Sequence, residues 1–460
     1  MELAERSITV PATPGHRGLI RRIEAAGEFR FRPGEVPIRL AITSIDDGKY
    51  VCEIGYLIGV ESDAAQPTSI FSFRQRYATS AAGFNAVFVV PTGIGAEVGG
   101  HAGDATPAAQ LLASCCDQLI THPNVVNASD VNELPANALY VEGSVLSRLL
   151  MGTVGLALTR SNRLIVVFDA QGDPMIENLV LNTVESARAT YGLVCTGLHK
   201  LEPPLELTAT SAASGRAAGS GRGIGRLFDL LDDAVETYDA VAITSLIGVP
   251  DGVHQQYFTS AGTMINPWGG IEAMLTHAVS HRFNVPSAHA PMMESREILN
   301  EDPGRVDPRM AAEAVSSSFL QCVLKGLKRS PRIVTDPDRF LAADTLSVED
   351  IDCLVIPAGS LGLPVLAALE QGISVIAVNE GAGLRAGNLG VLPWHDHQFY
   401  EAENYWEAAG IMCALRAGIA PNSVRRPLTQ LAIKHSQNSK NRGLRLPLGQ
   451  GPAPPVRRPQ

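Results

Sequence analysis

Apolar and polar positions follow one rule in residues 1–80 of this 460-residue chain and another beyond them. In the first stretch, two β-rich runs, Ile38–Ser44 and Tyr50–Gly59, flank Asp46-Asp47-Gly48, a sequence suited to a hairpin turn. With Ser7–Val10 and Ser69–Arg76 they predict a small N-terminal β-rich domain, residues 1–80. From Asn85 onward, short apolar runs alternate with helix-length segments. Strands are expected at 86–90, 118–121, 163–169, 192–197, 240–247, 353–357 and 373–378. Helices are expected at 106–117, 143–158, 175–191, 224–237, 269–284, 308–328, 361–371 and 403–417. Strand–helix alternation of this kind is the pattern of a mostly parallel sheet.

The predicted fold class is therefore α/β: two mostly parallel α/β lobes with a small N-terminal β-rich domain. Lobe one spans 81–207 and carries a glycine-rich loop, and lobe two spans 224–422. Residues 208–223, TATSAASGRAAGSGRG, read as a flexible Gly/Ala/Ser linker. The tail 423–460 is rich in proline, carries basic residues and no acid, and reads as disordered.

Composition narrows the function classes. A formal charge of −10 argues against a general nucleic-acid binder, which needs a basic surface to neutralise phosphates. No apolar run is long enough to span a bilayer, and the charged start Met1-Glu2-Leu3-Ala4-Glu5-Arg6 lacks a signal-peptide core, so no membrane partner is expected. Seven scattered cysteines without a Cys-x-x-Cys pair suit a reduced, cytoplasmic chain. Homo-oligomerisation is left open.

The strongest local motif is Pro91-Thr92-Gly93-Ile94-Gly95-Ala96-Glu97-Val98-Gly99-Gly100-His101-Ala102-Gly103-Asp104, between the apolar run AVFVV and a helix with Pro107 in its first turn. Glycines there permit tight turns and leave N–H groups available, and a helix N-terminus favours a carboxylate or phosphate. Val98 stands where a dinucleotide fingerprint needs glycine, and no Gly-Lys-Ser/Thr follows. Thr92, Gly93, Gly95, Gly99 and Gly100 are thus candidate anion contacts, and a β-carbon at Gly99 or Gly100 is expected to block the ligand while sparing the fold. A long turn that simply requires glycine is the competing reading.

After the next strand comes THPNVVNASDVNE (121–133), at the carboxyl end where open α/β sheets bind ligands. His122, Asn124, Asn127 and Asp130 are candidate substrate contacts, although capping chemistry also explains Asp130. Glu142-Gly143-Ser144 opens a further helix. Asp104, His122 and Glu142 are the candidate acid/base groups. Ser245 and Ser360 lie in later turns at strand ends and complete the candidate binding set.

In the second half, Asn266-Pro267-Trp268-Gly269-Gly270 introduces a helix with Glu272, His277 and His281; the two histidines share one face, and His289 follows. These three are weak metal candidates, because the His-Glu-x-x-His order is missing and no thiolate set accompanies them. Acid/base or substrate contact suits them better. No cofactor or metal is required on this reading.

The segments PTGIGAEVGGHAGDATP, THPNVVNASDVNE and LYVEGS within 91–144, with NPWGGIEAMLTHAVSH and AHAPM in 266–292, resemble a cyanobacterial, plant and actinobacterial family, domain of unknown function 3326. The resemblance covers residues 80–420 and implies no particular activity or catalytic residue.

The expected function is a small-molecule enzyme that binds a carboxylate- or phosphate-bearing metabolite in an interlobe cleft, with proton-transfer chemistry of an isomerase or lyase. One alternative is a nucleotide- and Mg²⁺-dependent transferase or ligase, with Asp104 as the metal carboxylate. The other is a non-catalytic metabolite-binding or sensing protein.

Overall fold

The computed structural model describes residues 1–11, 18–26, 32–46, 48–61, 69–77, 83–170, 172–384, 387–428 and 430. One sheet is six-stranded and wholly parallel, in the order Phe399–Ala402, Ser374–Val378, Ile351–Pro357, Asn85–Phe88, Gln118–Thr121 and Ala138–Tyr140. Its strands are buried almost throughout, which is why they read as continuous apolar runs rather than alternating ones. Strands run outward in chain order from the central pair, so the order reverses between Asn85–Phe88 and Ile351–Pro357. That reversal opens a crevice at the strands' carboxyl ends.

A second parallel sheet has the order Val194–Leu201, Arg163–Asp169, Ala240–Ser245 and Ser287–Pro291. The α/β class and the two mostly parallel sheets are as expected, but the lobes are not the contiguous halves 81–207 and 224–422. The first sheet takes strands from both ends of the chain, and the second is inserted between them. Cys353, Leu354 and Val355 pair in register with Ala86, Val87 and Phe88, and that long-range pairing closes the first lobe.

The N-terminal hairpin forms as Glu35–Asp46 and Lys49–Ile58, with Glu2–Pro11 beside it. The N-terminal part is β-rich as expected, and strands from later in the chain join its sheet. The seven-stranded sheet runs Ile247–Gly248, Glu206–Ser211, Ala217–Arg222, Glu2–Pro11, Lys49–Ile58, Glu35–Asp46, Leu361–Gly362, so both lobes contribute to it. The expected linker 208–223 is therefore mostly an antiparallel hairpin in register from Glu206↔Arg222 to Ser211↔Ala217. Its small residues serve close packing. A β-carbon on Gly219 would come within 2.6 Å of Ile271 Cβ, on the helix Gly269–Phe283.

Other departures are local. Ser69–Arg76 is irregular rather than a strand. The expected helix 143–158 ends at Leu150, and Gly155–Ala157 pairs with Arg332–Val334 and Thr345–Leu346. The expected helix 308–328 breaks into a short turn of 3₁₀ helix, Ala311–Ala314 and Leu320–Lys328. Ser423 and Arg425 are tied down, Arg425 donating to the Glu401 carbonyl at 3.0 Å, so the ordered chain passes the expected tail boundary. Residues 431–460 of that tail lie outside the described residues. Among the described residues, no helix is long and apolar enough to cross a membrane.

The helix Gly269–Phe283 is the keystone. Ile271, Met274, Leu275, Ala278 and Val279 are buried, and so are Ser280 and His281, because the helix is covered on most of its circumference. It packs against the strands Ala217–Arg222 and Ser287–Pro291 and the helix Gly143–Leu150. Its polar residues consequently face structure from both lobes.

Candidate functional site

Two cavities of about 200 Å³ each open beside this helix. Thr92, His122, Gly143, Ala273 and His277 line both. The first extends toward the second lobe, reaching Glu272, His289, Glu294, Glu313 and Trp268. The second extends under the seven-stranded sheet and the turn at Gly359-Ser360, reaching Arg39, Arg148 and Arg216. It thus sits at the reversal of the six-stranded sheet, where Pro91-Thr92 and Gly359-Ser360 leave adjacent central strands.

Glu142 is the N-cap of the helix Gly143–Leu150, and its buried Oε2 accepts from the backbone N–H of Ser144 at 2.9 Å and of Val145 at 3.3 Å. The Ser144 hydroxyl donates to the same oxygen. Oε1 accepts from Thr276 Oγ1 at 3.2 Å and pairs with His277 Nδ1. Burial works to raise this carboxyl, but His277 and the Ser144 groups outweigh it and hold it below the ordinary value of 4.5. An ionised Glu142 fixes the His277 proton on Nδ1 and leaves Nε2 as a lone-pair acceptor beside the cavities. A carboxylate-oriented imidazole of this kind is equipped to act as a general base.

His122 is different. The Val90 N–H donates to its Nε2 at 3.1 Å, so the proton sits on Nδ1. Burial, the largest influence, pushes its pKa down to about 4. A neutral imidazole with Nδ1–H beside the cavities is a hydrogen-bond donor, not a base. The sequence reading of His122 as acid/base is corrected accordingly.

On the first cavity's far wall, His289 Nδ1 pairs with Glu272 Oε1 at 3.0 Å and Nε2 with Ser245 Oγ at 2.7 Å. Ser245 is fully buried and lines neither cavity, so it positions His289 rather than touching a ligand. Glu313 accepts from the Ala102 N–H at 2.6 Å, and burial pushes its carboxyl up to about 7.

Several predicted residues serve the scaffold. Asn124 donates to the carbonyls of Val90 at 3.1 Å and Gly99 at 3.0 Å, stapling the glycine loop. Asn127 is held between Tyr140 and Asn132, although it and Asn124 both line the first cavity. Asp130 bonds Ser316 and lines neither cavity. Asp104 also lines neither; burial pushes its pKa to about 7, against the backbone N–H groups of Gly99 and His101, which favour the charged form. Thr92, Gly93 and Gly100 line the first cavity, whereas Gly95 and Gly99 do not. The glycines answer to packing: a β-carbon on Gly100 would lie 2.1 Å from the Ala96 carbonyl, and one on Gly99 would lie 2.6 Å from Val90 Cγ1. Ser360 lines the second cavity with its hydroxyl unpartnered.

The three metal candidates do not converge. His277 and His289 are tied to different carboxylates, and His281 is buried with neither ring nitrogen partnered. Among the described residues, no group of three or more His, Cys, Asp or Glu is placed to hold a metal ion. Missed in the sequence were Arg39, Arg148 and Glu313. Arg148 leaves one clue, a cation amid the apolar positions of VLSRLL, and Arg39 leaves the same clue in the run PIRLAI.

The fold and site define an α/β protein with two parallel sheets and a buried carboxylate–histidine pair in its interlobe cleft. The chain belongs to the family described as protein of unknown function (DUF3326), whose model matches residues 85–425. An uncharacterized lipoprotein of Synechococcus sp. is 33% identical over 340 residues, covering 73% of this chain and 91% of that relative. No solved structure matches the chain.

Proposed function

We propose that the protein is an enzyme that moves a proton on a small carboxylate- or phosphate-bearing metabolite held in the interlobe cleft, as an isomerase or lyase does. The observation that carries this reading is the Glu142–His277 pair, with His277 lining both cavities. His277 Nε2 takes the proton from a carbon beside a carbonyl or carboxylate. Glu142 holds the ring in the required tautomer and stabilises the imidazolium that forms. His122 Nδ1–H then donates to the oxygen on which negative charge develops. A neutral donor suits that task, since it stabilises the oxyanion without protonating the base.

The nucleotide- and Mg²⁺-dependent alternative needs a carboxylate at the phosphates. Asp104, its candidate, is enclosed away from both cavities. The metabolite-sensing alternative shares the binding half of the proposal and lacks the chemical half.

The test is solvent exchange. Small-anion fractions of a cell extract are incubated in D₂O with the protein, and deuterium at C–H positions is read by mass spectrometry and NMR. A metabolite should gain deuterium with the parent protein and not with His277→Gln. Exchange at the same rate in the variant, or in neither, sinks the proposal.

A further inference from the structure

The two cavities differ in charge. Arg39, Arg148 and Arg216 line the second, and no Asp or Glu is among its lining residues. Arg216 is neutralised by Glu5 and Glu53. Arg39 donates only to the carbonyls of Thr92 at 3.2 Å and Gly270 at 3.3 Å, and Arg148 to the Ser280 carbonyl at 3.4 Å and Asn284 Oδ1 at 2.6 Å. The buried Arg148 and the partly buried Arg39 thus have no carboxylate in hydrogen-bond contact among the described residues; Glu142 acts on Arg148, and Glu5 and Glu53 on Arg39, only at longer range. Ser360, 7% exposed, adds a hydroxyl without a partner.

The first cavity is the reverse. Glu142, Glu272, Glu294 and Glu313 line it, and no Lys or Arg does. Glu142 is committed to His277, while Glu272 spends one oxygen on His289, and its other has no partner among the described residues. Trp268 and Phe258 line the same cavity, and aromatic rings favour a cation. Ser129, 2% exposed, contributes a second unpartnered hydroxyl.

We infer that the cavities are two halves of one site for a zwitterionic metabolite, its carboxylate or phosphate in the Arg39–Arg148 half and a primary ammonium in the Glu272–Glu313 half. This rests on the proposed placement of the metabolite in the cleft and adds its second charge. The argument is one of compensation. A buried charge without a counter-ion is costly, and a ligand that carries both signs in the matching order relieves both halves at once. His277 and His122 line both halves, so the carbon between the two charged groups is the one brought to the base. The raised carboxyl of Glu313 accords with this, since it is buried without a cation, and a bound ammonium would return it toward ionisation.

The test uses ω-amino carboxylates and ω-aminoalkyl phosphates of increasing chain length. The matching alkanoates, alkyl phosphates and alkylamines are the half-ligands. Calorimetric titration of the full-length protein should find one chain length whose zwitterion binds at least about tenfold tighter than either half-ligand, the worth of one charge-assisted contact. Arg39→Gln and Arg148→Gln should lose about tenfold for the zwitterion and the alkanoate alike. Glu272→Gln should lose it for the zwitterion only. Since Arg148 also holds Asn284, Arg39→Gln keeps the test open if Arg148→Gln misfolds, and circular dichroism checks each variant.

An alkanoate or alkyl phosphate bound as tightly as its zwitterion by parent and Glu272→Gln overturns the inference, and so does a failure of the whole series to bind. The readout is binding without turnover, so the two proposals separate. Zwitterion binding with no deuterium exchange retains this inference and sinks proton transfer, and the converse pattern does the opposite.

Discussion

His277 and Glu142 are hydrogen-bonded across the junction of the two lobes, Nδ1 to Oε1, with Glu142 buried and His277 facing both cavities. Neither residue could be placed opposite the other by its own lobe. One caps a helix that follows the six-stranded sheet, and the other rides the helix that feeds the last strand of the four-stranded sheet.

Glu142→Gln should lower turnover about 10²-fold or more, because a neutral amide cannot stabilise the imidazolium and its single oxygen cannot serve both His277 and the helix N-terminus. His277→Gln should lower it to a similar level, and the double variant little further, since the pair acts as a unit. Glu142→Gln should also cost about 1–2 kcal/mol, because the residue caps a helix. That contribution has a pH signature: the carboxyl is held below 4.5, so its stabilisation is present above that value and is lost as the pH falls through the lower folded value. Full activity in Glu142→Gln, with the substrate found by solvent exchange, would contradict the pairing.

Glu313 should show the opposite dependence. Burial raises its carboxyl from 4.5 to about 7, so the folded state binds the extra proton between those values and stability falls as the pH rises through them. Glu313→Gln retains an acceptor for the Ala102 N–H and cannot ionise. It should match the parent near pH 4.5 and exceed it above pH 7, by an amount of the order of 2–3 kcal/mol. Equal melting temperatures at pH 8 would count against a carboxyl raised by burial.

His122 acts in the same window with the other sign. Its pKa is lowered from 6.5 to about 4, so its neutral burial stabilises fully above 6.5 and that stability is lost as the pH falls toward 4. His122→Gln can still accept from the Val90 N–H. Its unfolding free energy, followed by urea titration between pH 4 and 7, should rise less steeply with pH than that of the parent. An unchanged slope would show that His122 titrates as an exposed histidine.

Gly100→Ala should cost about 2 kcal/mol or more, because the new methyl meets the Ala96 carbonyl at 2.1 Å and backbone must move. Gly99→Val adds a positive φ of 93° to a clash with Val90 and should cost at least as much. The expectation that these changes spare the fold is thereby reversed, and lost ligand stabilisation in them would not identify the loop as an anion site. Denaturant midpoints equal to the parent's would restore the original reading.

Replacing residues 208–223 with a Gly/Ser linker of equal length should yield insoluble or poorly folded protein. The strand Ala217–Arg222 pairs with both Glu206–Ser211 and Glu2–Pro11, and Ala209, Ala217 and Ala218 are buried. Solubility and far-ultraviolet circular dichroism are the measurements. A soluble variant with an unchanged spectrum and melting temperature would return this segment to the status of a linker.

Most parallel strands were legible because a strand buried on both faces writes an unbroken apolar run, as AVFVV and CLVIP do. The hairpin 208–223 was not, because alanine and glycine chosen to admit Ile271 spell the same letters as a linker. The segment 308–328 misled because apolar positions on both sides outweigh the short polar run Ser316-Ser317-Ser318, which marks the break between Ala314 and Leu320. Of the site, His122, Glu142 and His277 stood out as polar groups at strand ends or on a glycine-led helix. Arg39 and Arg148 hid inside apolar runs, since a buried cation keeps the surrounding periodicity intact.

By itself, then, the sequence determined what lies within a few residues along the chain: the α/β class, most helices and strands, the hairpin at Asp46–Gly48 and the family resemblance. Propensity, periodicity and capping are short-range and leave a local record. The tertiary structure alone decided that Asn85–Phe88 pairs with Ile351–Pro357, that Asn124 staples the glycine loop, and that Glu142 meets His277 between cavities of opposite charge. Those relationships join residues far apart in sequence. They depend on strand register and on which helix face is covered, quantities that no local window of the chain contains.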